Sequence, residues 1–365
     1  MIRLLAMLLL AALCRGAEES LPDQRVGALP PSAALPGDTP EKVALGRLLF
    51  FDPILSATRE VACATCHHPQ HGWADGRATS LGVHGIGMGP KRRLADGASF
   101  LPMHRNAPTV LNAAFNGLAF GQTHVPKKAP MFWDNRVEGL EAQVFGPIRA
   151  REEMRGEGVV EAEAVSQMVQ RLRAIPEYAR LFGGEITAEK VAQAIAAYER
   201  TLITTDTPFD RFMRGDQKAM TAMQQRGMEA FQRAGCALCH NGPMFSDFKL
   251  HAIGVTDATT SRREFRTPTL RELRHTAPYM HNGSVRTLED VMLFYDRLMD
   301  HAAETLDGGD DASLPPLDPL LRRLNLLPED HEAILVFLQA LSSDDYDRRV
   351  PDRVPSGLPV PGHSD

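Results

Sequence analysis

Apolar residues recur at helical spacing in several parts of this chain, and no alternating strand pattern is sustained. The pattern predicts helices over three stretches, 187–202, 218–233 and 328–341. In the first of them, Val191, Ile195 and Tyr198 lie three or four residues apart and so share one helix face. The fold is therefore predicted to be all-α, with long loops between the helices.

Stretches rich in glycine, proline or charged residues separate these helices or follow them. Residues 82–102 and 308–319 have this composition and are predicted to be surface loops. Residues 350–365 contain four prolines. The end of the chain, 348–365, is therefore predicted to be a disordered tail.

The first residues have the pattern of a secretory signal. Arg3 precedes an apolar run, 4–13, and the small residues Gly16 and Ala17 follow it. The run is shorter than the roughly 20 residues that a membrane-spanning helix needs. Residues 1–17 are therefore predicted to be a signal peptide, and the mature chain is expected in the periplasm without a membrane span.

Length and charge narrow the function classes. The 365 residues allow about two domains. The net charge of −6 becomes −8 without Arg3 and Arg15. A mildly acidic chain gives no reason to expect binding to nucleic acid or to an anionic membrane surface.

The pattern Cys-x-x-Cys-His occurs twice and uses four of the five cysteines. In this pattern both thiols add to the vinyl groups of a haem, and the histidine binds its iron. The motifs therefore predict two covalently bound haem c groups, held by Cys63, Cys66 and His67 and by Cys236, Cys239 and His240. A four-cysteine zinc site and a redox dithiol are the alternatives. The motifs lie 173 residues apart, far beyond the spacing of a zinc ribbon.

Each motif is followed by similar segments, which indicates an internal duplication. Residues 129–141 match 277–289 at a constant offset of 148. An Arg-x-Pro-Thr-like segment precedes each of them, at 105–109 and 266–269. The chain is therefore predicted to contain two cytochrome c-like haem domains, 18–205 and 206–347.

The ordered set of motifs resembles the bacterial diheme cytochrome c peroxidases, whose superfamily also holds the MauG-type enzymes. The resemblance runs from about residue 41 to 345 and includes 45–53, 105–113, 132–134 and 276–283, besides both haem motifs. It implies reduction of hydrogen peroxide to water at the N-terminal haem. The C-terminal haem would then transfer electrons from a small soluble cytochrome c or cupredoxin.

The resemblance also implies the catalytic residues of the N-terminal half. Trp133 matches the tryptophan between the haems, and Gln143 and Glu153 follow it at successive intervals of ten residues. Glu153 would be the acid/base residue that helps to break the O–O bond. Its neighbour Glu152 is the competitor for this role. Pro147 would lie over the peroxide-binding iron.

For the distal iron ligands, the resemblance implies more than one candidate. At the position of the family's distal methionine, this chain has Tyr295, as MauG does, and Met280 is the alternative ligand of the second haem. A tyrosinate favours Fe(III) and lowers the potential, whereas a thioether raises it. His84 is the candidate distal ligand of the first haem, and an exposed loop histidine is the alternative. It lies 17 residues after His67, which is one residue more than the spacing usual in the family.

The remaining implications concern calcium and partners. Asn106, Thr276 and Pro278 match the family's Ca²⁺ site between the domains, where oxygen donors suit this hard cation. Members of the family are often homodimers. Residues 85–105 are an insertion near the N-terminal haem, which leaves the identity of the partner open.

The sequence is therefore compatible with three functions. The leading one is a periplasmic peroxidase. The second is a MauG-like enzyme that uses peroxide to oxidise residues of a partner protein. The third is a plain diheme electron carrier, which Gln143 and Glu153 disfavour because a carrier needs no distal acid.

Overall fold

The computed structural model describes residues 22–99, 103–255, 264–306 and 317–363. The predicted signal peptide and most of the predicted 308–319 loop lie outside them. In the described residues, no helix is long and apolar enough to cross a membrane.

The chain is mainly helical, which confirms the predicted fold class in this coarse form. The α-helices within the described residues are α1 (Pro40–Phe51), α2 (Cys63–Cys66), α3 (Leu140–Gln143), α4 (Phe145–Arg149), α5 (Ala164–Arg173), α6 (Pro176–Phe182), α7 (Ala188–Glu199), α8 (Pro208–Met213), α9 (Ala222–Arg233), α10 (Leu288–Leu306) and α11 (His331–Gln339). Short 3-10 turns and one π turn (Arg151–Arg155) connect them. The strands form three two-residue antiparallel pairs: β1 (Gly85–Ile86) with β2 (Arg93–Leu94), β3 (Pro130–Met131) with β4 (Val137–Glu138), and β5 (Leu250–His251) with β6 (Phe265–Arg266).

The three helices predicted from apolar spacing are present. α7 begins after Thr187, whose side chain accepts a hydrogen bond from the backbone N–H of Lys190. α9 begins after Thr221, which forms a capping box with Gln224. The helix predicted over 218–233 therefore begins a few residues later than expected, because the capping box of Thr221 fixes its first turn.

The first half is built on a close crossing of α1 and α7. At the crossing, a Cβ added to Gly46 would overlap the carbonyl group of Ala194 and contact the Cβ of Tyr198. Only glycine lets the two backbones approach this closely. Phe50 and Tyr198 pack their rings edge to face in the core beside this crossing, with centroids 5.6 Å apart.

The second half repeats this crossing with α9 and α11. A Cβ added to Gly227 would overlap the carbonyl group of Ala333 and contact the Cβ of Phe337. Phe231 and Phe337 pack beside it, with centroids 5.5 Å apart. Each half therefore has its own apolar core around one glycine-mediated helix pair.

The segment 82–102 is more than a surface loop, in contrast to the prediction. It contains the β1–β2 hairpin, and Val83 and Arg92 are buried. The Arg92 guanidinium donates hydrogen bonds to the carbonyl oxygens of Leu81 (2.5 Å), Gly82 (2.7 Å) and Gly87 (2.8 Å). These bonds fold the segment back on itself, an arrangement that composition does not reveal.

The N-terminal stretch crosses to the second half, so the predicted domain boundary at residue 18 is wrong for this part. Val26 belongs to the apolar core of the second half and pairs with Gly242. The backbone N–H of Leu29 donates to Asp210 Oδ1 at 3.0 Å. Asp210 is buried and ion-paired with Arg271. Residues 26–29 are thereby attached to the second half.

The C-terminal stretch crosses in the opposite direction, and the prediction of a disordered tail is wrong for residues 348–363. Val354 and Val360 are buried in the core of the first half. Ser356 Oγ donates to the buried carboxylate of Asp52 at 2.6 Å. The prolines and glycines prevent regular secondary structure but leave these apolar contacts possible.

Candidate active site

A cavity of about 610 Å³ is lined by both Cys-x-x-Cys-His motifs. Its walls also include apolar side chains of both halves, such as Phe50 in the first and Phe231 in the second. Apolar walls with a few polar groups are typical of cofactor sites. The two haem motifs therefore border one continuous space.

The histidines of the two motifs are oriented in the same way. The ring nitrogen Nδ1 of His67 lies 3.3 Å from the carbonyl oxygen of Trp73, and that of His240 lies 3.1 Å from the carbonyl oxygen of Phe245. Because a carbonyl oxygen can only accept, Nδ1 carries the proton and Nε2 keeps its lone pair. Burial lowers the pKa of His67 to about 4. Both rings are thus prepared to bind a metal through Nε2.

The four motif cysteines fit attachment of haem better than a zinc site. All four line the cavity and form no disulfide. The one group of potential metal ligands within the described residues contains only a single cysteine, Cys239, together with Asp247 and His251. The four thiols are therefore not assembled around one ion, which excludes the four-cysteine zinc alternative. Each motif instead presents two thiols and a histidine to the cavity, as a c-type haem requires.

The predicted catalytic residues of the first half reach the same cavity. Gln143 is the last residue of α3, Pro147 lies in α4, and Glu152 and Glu153 lie in the π turn that follows. All four line the cavity. The short helices and the turn therefore bring all four residues to the cavity lining.

Glu153 has the electrostatic properties of a proton-transfer residue. Burial, together with the negative charge of Glu152, raises the pKa of Glu153 to about 7, and Arg136 opposes this shift. The backbone of Gly82 packs directly against the backbone of Glu153, since a Cβ added to Gly82 would overlap the Glu153 main chain. Val83 N also donates to the Glu152 carbonyl oxygen at 3.3 Å. The hairpin segment thus supports the wall that carries the carboxyl group.

Trp133 is fixed between the two halves. Its indole Nε1–H donates to the Asn106 carbonyl oxygen at 2.9 Å, and its own carbonyl oxygen accepts from Arg266 N at 2.7 Å. Its ring meets the ring of His281 edge to face, with centroids 6.4 Å apart. The next residue, Asp134, forms ion pairs with Arg105 and with an arginine two positions further on. The indole is therefore held rigidly at the cavity.

Both candidate ligands of the second haem line the cavity. Tyr295 lies in α10, and burial raises the pKa of its hydroxyl. Met280 lies in the loop before α10, with its backbone in the left-handed region at φ 72°. The arrangement is compatible with either residue as the ligand.

His84 is not brought to this site. It is half-buried and is not among the residues that line the cavity. Its carbonyl oxygen accepts a hydrogen bond from Ala95 N at 2.8 Å within the hairpin segment. This placement favours the alternative, a histidine in a loop, over a distal iron ligand.

The predicted calcium ligands come from both halves and line the same cavity. Asn106, Thr276 and Pro278 all line the cavity. Asn106 N donates to the His281 carbonyl oxygen at 2.8 Å, which joins the two halves. The side-chain nitrogen of Asn106 donates to the Arg77 carbonyl oxygen at 2.7 Å, so its side-chain oxygen faces away from that bond. An oxygen donor is thus available for a hard cation.

Other polar residues line the cavity that the sequence analysis did not single out. Glu199, at the end of α7, is buried there, and His251 is held between Asp247 (3.0 Å) and Asp318 (2.6 Å). The sequence offered no signal for Glu199, because this residue reaches the cavity through the crossing of Gly46 with a helix distant in sequence. The pairing of each glycine with its distant helix appears only in the folded chain.

The family model of the di-haem cytochrome c peroxidases matches residues 40–218. The chain belongs to this family. It is 36% identical to the methylamine utilization protein MauG of Methylorubrum extorquens over 326 residues, covering 84% of this chain and 79% of that protein. It is 34% identical to the cytochrome c551 peroxidase of Pseudomonas aeruginosa over 325 residues, covering 82% and 78%.

Two solved structures share the fold of this di-haem peroxidase. One is a MauG-like protein associated with microbial copper homeostasis, with a TM-score of 0.64, 24% identity and coverage of 90% of this chain and 96% of that chain. The other is the diheme peroxidase BthA of Burkholderia thailandensis, with a TM-score of 0.61, 22% identity and coverage of 91% and 93%. The prediction that the chain is an enzyme of the cytochrome c peroxidase class is confirmed by the family and the relatives. Membership of this family implies haem cofactors.

Proposed function

We propose that the N-terminal half of this di-haem peroxidase reduces hydrogen peroxide to water. The C-terminal half would supply electrons from a small soluble cytochrome c or cupredoxin in the periplasm. The observation that carries this assignment is the half-buried carboxyl group of Glu153, which lines the cavity, acts on the cysteines of the first haem motif and has a raised pKa.

Glu153 and Gln143 would have different roles in breaking the O–O bond. A carboxyl group with a pKa of about 7 exists in both protonation states at neutral pH, so it can take a proton from one oxygen and return it to the other. The Gln143 side chain offers an amide dipole to the departing hydroxide. Pro147 has no side-chain ligand atom and would leave the iron face open. The haem, when bound, supplies the redox-active iron.

Electrons would pass between the halves through Trp133. Its indole is buried, hydrogen-bonded and in contact with His281 of the second half. A rigid aromatic ring between two cofactor sites needs little reorganisation when it gains or loses an electron. Its position therefore supports a bridging role in addition to its packing.

The two halves would be copies of one cytochrome c-like domain, each with a covalently bound haem c. Three parallels support this: the glycine-mediated helix crossings, the histidine-to-carbonyl contacts, and a pair of threonines. Thr109 Oγ1 donates to the Gly72 carbonyl oxygen at 2.6 Å, and Thr269 Oγ1 donates to the Met244 carbonyl oxygen at 2.7 Å. A Ca²⁺ ion at Asn106 would hold the copies together.

A MauG-like oxidation of a partner protein is the second candidate. Tyr295 is the observation that favours it, because an anionic oxygen ligand would stabilise oxidised states of the second haem. The 36% identity to MauG is consistent with it. The peroxidase assignment takes precedence because it requires only peroxide cleavage, which Gln143 and Glu153 serve, whereas the MauG-like oxidation also requires a partner protein as substrate.

The assignment is tested by Glu153→Gln. Loss of the proton-transfer group should lower turnover with peroxide by roughly 10²-fold or more, the usual scale of general acid–base catalysis. Turnover would be measured with a reduced small cytochrome as donor, and haem content by pyridine haemochrome.

The matched control is Glu152→Gln, which changes the adjacent carboxylate and should have a far smaller effect. Both variants should retain two haems per chain and nearly unchanged spectra. Equal losses in the two variants, or no loss in either, would refute the role assigned to Glu153.

A further inference from the structure

A second buried carboxyl group faces the cavity beside the first haem motif. Glu199 is the last residue of α7, is only 5% exposed and lines the cavity. In the described part of the chain, its carboxylate has no hydrogen-bond partner, since only its backbone is bonded. Its charge acts on Cys63, whose pKa rises to about 12 through burial and this carboxylate. Glu199 therefore lies beside the first haem motif.

The second half shows that this position does not need a carboxyl group for packing. In the two helix crossings, Ala194 and Ala333 occupy the same place against their glycines, 139 residues apart. The same offset takes Glu199 to Leu338, which is 6% exposed and also lines the cavity. Burial of an unpaired carboxyl group costs free energy that a leucine avoids. Packing therefore does not explain the carboxyl group of Glu199 in the first half, and a chemical role is needed to explain it.

Charged groups surround Glu199, and one of them reaches solvent. Its neighbours Arg200 and Glu141 form an ion pair, with Arg200 Nη1 and Glu141 Oε1 2.9 Å apart. The Glu141 side chain is 31% exposed, so it reaches solvent. Burial raises the pKa of Glu199 to about 8, Arg200 opposes the shift, and Glu141 adds to it. Cys63 and the adjacent Tyr198 are the other titratable groups that interact with Glu199. With a pKa of about 8, Glu199 is protonated at neutral pH.

We propose that Glu199 is a second proton donor of the N-terminal haem pocket and is reprotonated from solvent past Glu141. Reduction of one H₂O₂ to two H₂O breaks one O–O bond and consumes two electrons and two protons. The redox partner supplies the electrons. Glu153 only moves a proton between the two oxygens, so the two net protons must enter a buried site. This inference rests on the proposed placement of peroxide chemistry in the N-terminal half.

The test is Glu199→Gln in the haem-loaded protein, with Glu199→Asp as the conservative variant. Steady-state turnover of Glu199→Gln at pH 7 should fall about 10-fold or more, and Glu199→Asp should recover much of it. The rate at which the enzyme first reacts with peroxide in stopped flow should stay unchanged, because Glu153 serves that step. Wild-type turnover should fall as the pH rises above about 8, where Glu199 loses its proton, and this decline should be absent in Glu199→Gln.

A second readout does not depend on activity. Proton uptake on anaerobic reduction of the N-terminal haem, followed with a pH indicator, should be smaller in Glu199→Gln than in the wild type. Glu189→Gln makes the same change at an exposed position of α7 and should match the wild type. Unchanged turnover and proton uptake in Glu199→Gln would overturn the proposal. So would loss of haem or of the first peroxide step, which would indicate a packing role. If Glu153→Gln is also fully active, the function assignment itself fails.

Discussion

At the scale of single residues, the ligand of the second haem determines which chemistry the oxidised enzyme can perform. Tyr295 offers a hard anionic oxygen and Met280 a soft thioether, and both side chains line the cavity. If Tyr295 is the ligand, the fully oxidised enzyme should react with peroxide without prior reduction. Tyr295→Met should raise the potential of the second haem and make activity depend on pre-reduction. Potentiometric titration and stopped-flow absorbance measure the two effects.

The control for this prediction is the other candidate ligand. Met280→Ala should leave the spectrum and the potential of the second haem unchanged. A methionine-type absorption band in the wild type that disappears in Met280→Ala and persists in Tyr295→Phe would contradict the prediction. It would identify Met280 as the ligand and favour an ordinary peroxidase.

The site residues differ in how far the sequence alone can reveal them. Gln143 and Glu153 could be proposed from the sequence because the resemblance to the diheme peroxidases counts them on from Trp133, and the structure has all three at the cavity lining. Glu199 could not, because it reaches the first haem motif through the crossing of two helices distant in sequence. His84 shows the opposite case. Its spacing resembled that of a ligand, but the hairpin segment holds it away from the cavity lining.

At the scale of the elements, the glycines at the two helix crossings position both haem motifs. Gly46→Ala or Gly227→Ala would force a methyl group into a backbone carbonyl group, and the helices would have to separate. Each variant should lower the free energy of unfolding by about 1–3 kcal/mol, the usual cost of overpacking. Urea titration followed by circular dichroism measures this loss.

The comparison variant is Gly158→Ala. A Cβ at this position would meet no atom within 4 Å, and its φ is not in the left-handed region. Its free energy of unfolding should stay close to that of the wild type. A result in which all three variants are equally stable would show that the crossings tolerate separation.

At the scale of the whole molecule, the two ends of the chain are exchanged between the halves. Residues 26–29 pack on the second half, whereas Val354 and Val360 pack on the first. Composition suggested a tail because it describes only local chain behaviour, and the partner of this segment lies about 300 residues earlier, as the Ser356–Asp52 contact shows. The helices could be predicted from local periodicity, but this long-range exchange could not.

The exchange predicts that the first half depends on the end of the chain. Deletion of residues 350–365 would remove two buried valines, each worth about 1.5–3 kcal/mol of burial, and the hydrogen bonds of Ser356 to Asp52. The truncated enzyme should unfold at lower urea, and the spectrum of the N-terminal haem should change before that of the C-terminal haem. Arg353→Ala alters an exposed side chain of the same segment and should leave both transitions in place.

Unfolding of the truncated enzyme at the wild-type urea concentration would show that the segment does not stabilise the first half. Simultaneous loss of both haem signals would instead show that the exchanged ends make the two halves a single cooperative unit.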